Sequence, residues 1–448
     1  MTDSTGGTDR MSRRARHARA AGPTDAAART SERPAAGRQG ETASLAYALL
    51  ARGVEGLRPD RERIEPLLFG IGGGIGMATM SFDMHGKHLI YLGTRYHTKE
   101  TDRAEFLGAI CERLGIRLDM AHGSSDAAAE RRLRGALAAE PNAAPILWVD
   151  AGRLPYRGSP GFANAWHTVA VAGESGDAFV VSDMTRSMPT ISAADLRAAR
   201  ATTYAPRRRM AVVAGERSPV VSKETLVAAV QEGITRTVAQ LGGDLGASGF
   251  GLTAFEKLRS RITGKGKGSW LVGFPDGRAL VGGAASIFGQ IETRGPDGAA
   301  FRLLYADFLD VAAVVIGDDR LTSAATAARD AAAAWRSWAD ALLPDAVEGM
   351  GQLRRLHREQ RDLYAERGGD AAAQLVALRA EAAKLEDVAG RAVTSCREDY
   401  IARLADTLPG VHDAERRLAA MLAAVAAKWE RRATRGAALS TARRARAR

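Results

Sequence analysis

His167 opens an apolar run, Trp166-His167-Thr168-Val169-Ala170-Val171, and Asp183 closes another, Phe179-Val180-Val181-Ser182-Asp183, sixteen residues later. If the two runs are hairpin neighbours, the side chains can meet. A carboxylate on one imidazole nitrogen fixes the tautomer and leaves the other nitrogen as a base. Gly70 to Gly76 contains Gly72-x-Gly74-x-Gly76. It has neither the spacing of a dinucleotide loop nor the Lys-Ser/Thr of a phosphate loop. Gly72, Gly73 and Gly74 therefore either allow close backbone packing or line a cleft with free amides. His85, His88 and His97 lack cysteines or carboxylates at metal-ligand spacing, so no metal is expected. No cofactor motif stands out.

The elements that would position this pair follow from hydrophobic periodicity. Glu41–Arg52 reads as a helix stopped by Gly53, with Thr42 as the residue that caps its start. An apolar stretch, Pro66–Phe69, leads into the glycines. His88–Leu92 reads as a strand, and 103–114 and 126–139 as helices. Strands are expected at 145–149, 167–172, 178–182 and 209–213, with a helix at 193–200. Ser222 caps a helix over 222–241, and Ala299–Ile316 is apolar at helical spacing. From Ser323 to Arg435 nearly everything is helical, with breaks at Pro344, Gly368-Gly369 and Pro409-Gly410. The sum is an α+β chain: a papain-like cysteine-enzyme-type N-terminal domain, a mixed helical second domain and long C-terminal helices. The expected boundaries are a disordered basic tail at 1–38, the papain-like domain at 39–215, a mostly helical domain at 216–345 and a helical extension with a basic tail at 346–448.

Composition bounds the rest. The chain has 448 residues, 46% of them hydrophobic, ample for large cores. No apolar run is long enough for a membrane helix and no secretion signal is visible, so no membrane is expected. Cys111 and Cys396 are the two cysteines, and so few thiols suit a cytoplasmic protein. The net charge of +11 gathers in basic clusters at Arg13–Arg19 and Arg431–Arg448. No aromatic residue interleaves with these arginines, so nucleic-acid stacking is not expected. Oligomeric state is not legible.

Several ordered pieces together resemble a known family. They are Gly40-Glu41-Thr42-Ala43-Ser44-Leu45; Pro66 to Gly76; Leu147-Trp148-Val149-Asp150 with Leu154-Pro155-Tyr156; His167 to Val171; and Val181-Ser182-Asp183. This series resembles the N-terminal domain of the butirosin biosynthesis protein H family. Gly246 to Phe250, Arg294-Gly295-Pro296-Asp297-Gly298, Phe301 to Leu309 and Trp335 resemble the domain of unknown function that follows it there. The resemblance implies an acyltransferase that takes an acyl group from a carrier-protein thioester, or another acyl thioester, and passes it to a small amine. In that scheme a cysteine attacks, a histidine manages protons and an aspartate orients the histidine. His167 and Asp183 match the last two roles. Gln39, Glu41, Gly72, Gly73, Gly74 and Tyr156 are the implied cleft residues.

The nucleophile position departs from the pattern. Family members show His-Cys-Glu where this chain has Gln39-Gly40-Glu41. Gly40 cannot form an acyl-enzyme. Thr42 points about 200° away on a helix, and Ser44 lies about one turn further along. Two readings follow. Transfer can proceed without a covalent step, with His167 as base and backbone amides as oxyanion donors. Alternatively, the domain binds a biosynthetic intermediate or partner protein without chemistry. An open cleft beside Gly40 favours the first, and a filled one the second.

Overall fold

The computed structural model describes residues 36–57, 63–84, 86–95, 103–140, 142–158, 166–201, 208–215, 219–243, 249–266 and 268–446. Residues 1–35 of the expected basic tail, His85, His97 and 246–248 lie outside them. Side chains from 432 onward, including the terminal arginines, also lie outside the description.

The first part is α+β. Helix α1 (Gly40–Arg52) and helix α2 (Ile64–Ile71) precede a two-stranded hairpin, β1 (Ile75–Met84) and β2 (Lys87–Arg95). Then come α3 (Arg103–Arg113), β3 (Arg117–His122), α4 (Asp126–Ala139), β4 (Ile146–Asp150), β5 (Trp166–Ser175), β6 (Ala178–Ser182), β7 (Thr190–Ser192), α5 (Ala193–Arg200) and β8 (Arg209–Ala214). Strands β3 to β8 form one antiparallel sheet in the order β3-β8-β4-β5-β6-β7.

Both faces of this sheet are covered, which explains the unbroken apolar run of β4. Ile146 and Trp148 point towards α1 and α2, in a core that includes Leu45, Leu49 and Phe69. Leu147 and Val149 point the other way, onto Val169, Val171, Phe179 and Leu196. Gly53 ends α1 in the left-handed region (φ 73°) and donates its N–H to the carbonyls of Leu49 and Leu50.

The rest is helical: α6 (Lys223–Gly242), α7 (Thr253–Thr263), α8 (Trp270–Gly273), α9 (Gly277–Glu292), α10 (Arg302–Ile316), α11 (Arg320–Leu342), α12 (Met350–Arg367), α13 (Ala372–Thr394) and α14 (Arg397–Arg446). Ser222 caps α6 by accepting the Thr225 N–H. The break expected at Pro409-Gly410 does not occur. Pro409 lies inside the fifty-residue helix α14, and its neighbours Leu404, Ala405, Leu408 and Val411 are buried in the second core. That packing overrides the helix-breaking tendency of proline.

Helix α10 packs against α2, with α11 against α10 in the same core, and so ties the helical part to the first domain. A second tie is Arg302, fully buried and paired at 2.6 Å with the equally buried Glu415 of α14. Arg302 also donates to the carbonyls of Thr94, Gly76 and Ala300. Trp335 Nε1 donates to the same Glu415 oxygen. No described helix is long and apolar enough to cross a membrane.

Candidate active site

The sheet brings His167 and Asp183 together. His167 stands one residue inside β5, opposite Val149 of β4. Asp183 follows the last residue of β6, the hairpin partner of β5. The link between those strands is shorter than the gap between the expected strands 167–172 and 178–182: β5 continues through a bulge to Ser175, and Gly176-Asp177 makes the turn. His167 Nε2 lies 2.6 Å from Asp183 Oδ1.

Asp183 is deeply buried and heavily served. Oδ1 also accepts the Met184 N–H at 2.6 Å. Oδ2 accepts the hydroxyls of Tyr156 at 3.0 Å and Tyr364 at 2.7 Å, and Arg157 Nη1 at 3.3 Å. Burial pushes the carboxyl up. The neighbouring His167, the Arg157 guanidinium and the hydrogen bonds outweigh it and hold the group well below the usual carboxylate range. Burial raises both tyrosine hydroxyls well above their ordinary values, so they stay protonated donors. Arg157 Nη1 is 3.0 Å from His167 Nε2, and the guanidinium lies over the Tyr364 ring at 4.5 Å.

The other ring edge of His167 faces α1. A Cβ added at Gly40 would stand 2.8 Å from both Nδ1 and Cε1 of the imidazole. The ring therefore occupies part of the room a side chain at position 40 would use. Gly40 is the first residue of the helix, where backbone N–H groups lack helical partners. Gln39, not Thr42, is the cap: its Oε1 accepts the Thr42 N–H at 2.8 Å. Thr42 sits a turn in, and its hydroxyl donates to the same Gln39 oxygen. Among the described residues, the N–H groups of Gly40 and Glu41 have no hydrogen-bond partner. Ser44 is buried, with its Oγ 3.3 Å from Thr168 Oγ1.

Glu65 anchors the chain entering this helix. Its carboxylate accepts the N–H groups of Arg38 at 3.0 Å and Gln39 at 2.7 Å. Burial pushes Glu65 up to about 7 against these hydrogen bonds. Gln39 Nε2 donates to Glu41, which pairs with Arg95 at 2.7 Å.

Gly40 and His167 open into a cleft of about 530 Å³. Gln39, Glu41 and Trp148 form its floor side; Tyr91 and Arg95 of the hairpin, with Arg157 and Trp166, form further walls. Thr293, Arg294 and Phe301 close it from the helical part. Phe301 ends three consecutive non-glycine residues at positive φ: Ala299 (49°), Ala300 (53°) and Phe301 (64°). Such residues are strained, and the surroundings hold them: Ala299 N–H donates to Glu292 Oε1 and Arg302 donates to the Ala300 carbonyl.

Four expected cleft residues do not line it. Gly72, Gly73 and Gly74 form the tight turn that ends α2, buried away from His167. A Cβ would meet Phe106 at Gly72, Gln240 and Arg236 at Gly73, and Tyr305 at Gly74. Their carbonyl and backbone space serves packing: Thr237 and Gln240 both donate to the Gly73 carbonyl. Tyr156 stands behind the cleft, on Asp183. Among the described residues no group of side chains is arranged to hold a metal ion.

Sequence reasoning missed Arg157, Tyr364, Arg95, Glu65 and the Thr293–Phe301 wall. Arg157 adjoins Tyr156, and the Arg294–Gly298 segment stood out as a motif. Tyr364 carries no local signal, for it reaches Asp183 across 181 residues.

Two family models match the chain in succession. "Butirosin biosynthesis protein H, N-terminal" covers residues 39–184, and "Domain of unknown function (DUF4872)" covers residues 194–368. The first holds Gly40, His167 and Asp183; the second holds Arg294, Phe301 and Tyr364. No curated protein matches the chain.

Proposed function

Because the chain belongs to the butirosin biosynthesis protein H family, we propose that it is an acyltransferase-like protein of natural-product biosynthesis with a papain-like N-terminal domain. It passes an acyl group from a thioester, carried by an acyl carrier protein, to a small amine. One observation carries this reading: His167 Nδ1 faces an open cleft beside Gly40 while Nε2 is held by a buried, ionised Asp183.

The step is direct aminolysis. The amine nitrogen attacks the thioester carbonyl as His167 Nδ1 takes one of its protons. The carbonyl oxygen gains charge facing the N–H groups of Gly40 and Glu41, which the helix N-terminus leaves without partners. Collapse breaks the carbon–sulfur bond, and the proton held on His167 passes to the departing thiolate. An amide and a free thiol result, and no bond to the protein forms. Asp183 keeps the Nε2 proton in place throughout.

A second reading rests on Gly40 itself. A site without a nucleophile, its place partly filled by the imidazole, suits a protein that binds a biosynthetic intermediate or partner protein. Amide formation separates the two. The protein is mixed with acyl-pantetheine and acyl-carrier thioesters and a panel of amines. Product mass is read for wild type and His167→Ala. Amide from wild type that is lost in His167→Ala supports transfer. Binding of a thioester or amine with no amide in either protein supports the second reading.

A further inference from the structure

Resting on the reading of His167 as a base, we propose that the domain of unknown function is part of the active site, with Tyr364 as the positioning residue that fixes Asp183 and, through it, the tautomer of His167.

The contact is specific in chemistry and place. Tyr364 lies one turn before the end of α12. Its hydroxyl gives Asp183 Oδ2 a 2.7 Å hydrogen bond, the shortest that oxygen receives. Its ring also backs Arg157, which touches both members of the pair. One residue of the stretch matched by the domain of unknown function, 194–368, therefore braces the carboxylate directly and the guanidinium beside it.

The end of α12 is also tied to both loops that carry the site. On the Asp183 side, Arg186 donates its N–H to the Ala365 carbonyl at 2.9 Å, and Ser187 Oγ donates to the Arg367 carbonyl at 3.2 Å. Gly368 (φ 52°) follows; a Cβ there would strike Ser187 Oγ at 2.4 Å, so only glycine lets the helix end this close. On the Arg157 side, Arg379 of α13 donates to the carbonyls of Arg157 and Gly158.

A carboxylate with fewer fixed donors can rotate, and a rotated carboxylate no longer dictates which imidazole nitrogen keeps the proton. The Met184 N–H fixes Oδ1 at 2.6 Å, and Tyr364 is the shortest of the three donors that fix Oδ2, at 2.7 Å against 3.0 Å for Tyr156 and 3.3 Å for Arg157.

The test uses the full chain and Tyr364→Phe, which removes only the hydroxyl. Long-range nitrogen NMR reads the His167 tautomer without any substrate. Wild type is expected to carry its proton on Nε2. Tyr364→Phe is expected to move the Nε2 resonance and populate the other tautomer, with little change in melting temperature. Where wild type makes amide, kcat falls roughly ten- to a hundredfold with KM little changed, less than the ~10⁴ that loss of carboxylate control costs. An ortho-fluorinated tyrosine at 364 keeps ring and hydroxyl and donates more strongly. It moves the same resonance even if Tyr364→Phe folds poorly. An Nε2 resonance unmoved by either replacement overturns the proposal. A wild type that makes no amide, but whose resonance moves, overturns the transfer reading and leaves the role of Tyr364 standing.

Discussion

At the scale of single residues, the site turns on the two nitrogens of one imidazole. Asp183 holds Nε2, and Nδ1 looks over a glycine. Asp183→Asn keeps the shape but can present an N–H where an acceptor is needed. It should lower amide formation by at least about a hundredfold, read as kcat in the thioester assay. Gly40→Cys should behave differently. Its Cβ meets the ring at 2.8 Å, so the imidazole must swing back a few tenths of an ångström. A thiol at a helix N-terminus beside histidine is then activated, and the variant should gain an acyl adduct visible by intact mass. A variant that remains unmodified by every thioester accepted by wild type would refute that placement. His167 and Asp183 were legible because hairpin geometry is local: alternation set the strands, and sixteen residues set the encounter. Gly72 to Gly74 were misread as possible cleft residues because a glycine run states only that no side chain fits. Whether a ligand or a Phe106 ring occupies the room is a tertiary fact.

At the scale of elements, α2 was read only as an apolar stretch and β1, β3 and β7 were not foreseen, Ser222 caps α6 of the helical part as expected, and helices α1, α3, α4 and α5 and strands β2, β4, β5, β6 and β8 of the first domain followed their local signals. The long-range joints did not. Nothing near Arg302 announces that its guanidinium will be sealed against Glu415, three carbonyls and a Trp335 ring. Nor did Pro409 break its helix, since the neighbouring turns are clamped in a core. Replacing Arg302 by Met strands a buried carboxylate. Stability should drop by about 3–5 kcal/mol in urea unfolding. Adding Glu415→Gln should recover part of that loss, because the stranded charge is gone. A single variant as stable as wild type would mean that Glu415 is not sealed in.

At the scale of the whole molecule, two groups withdrawn from water, Glu65 and His357, give the stability curve opposing slopes. Glu65 is pushed up to about 7 by burial. Its folded form keeps a proton that the unfolded chain has released, so its contribution is full below about pH 4.5 and is lost as pH rises to about 7. His357, half-buried with Nε2 buried and unpartnered, is pushed down to about 4 by burial. Its contribution is present above about pH 6.5 and is lost as pH falls towards 4. Each is worth at most about 3 kcal/mol. Melting temperature measured from pH 4 to 8 should therefore lose its acid-side fall in His357→Asn and its rise-limited fall towards neutrality in Glu65→Gln. Unchanged slopes would place both groups in water. The same scale explains why half of the site escaped sequence reasoning. Tyr364 comes from α12, and Arg294 and Phe301 from the connection between α9 and α10, and local periodicity gives no distance between such segments and the first domain.

Direct transfer over Gly40 with His167 as base is tested most sharply by the intact mass of the wild-type protein, recorded during amide formation from an acyl-carrier thioester and a small amine. Amide should accumulate while the protein keeps its unmodified mass, and His167→Ala should make none. An acyl adduct on the wild-type chain, or amide formed equally well by His167→Ala, would contradict it.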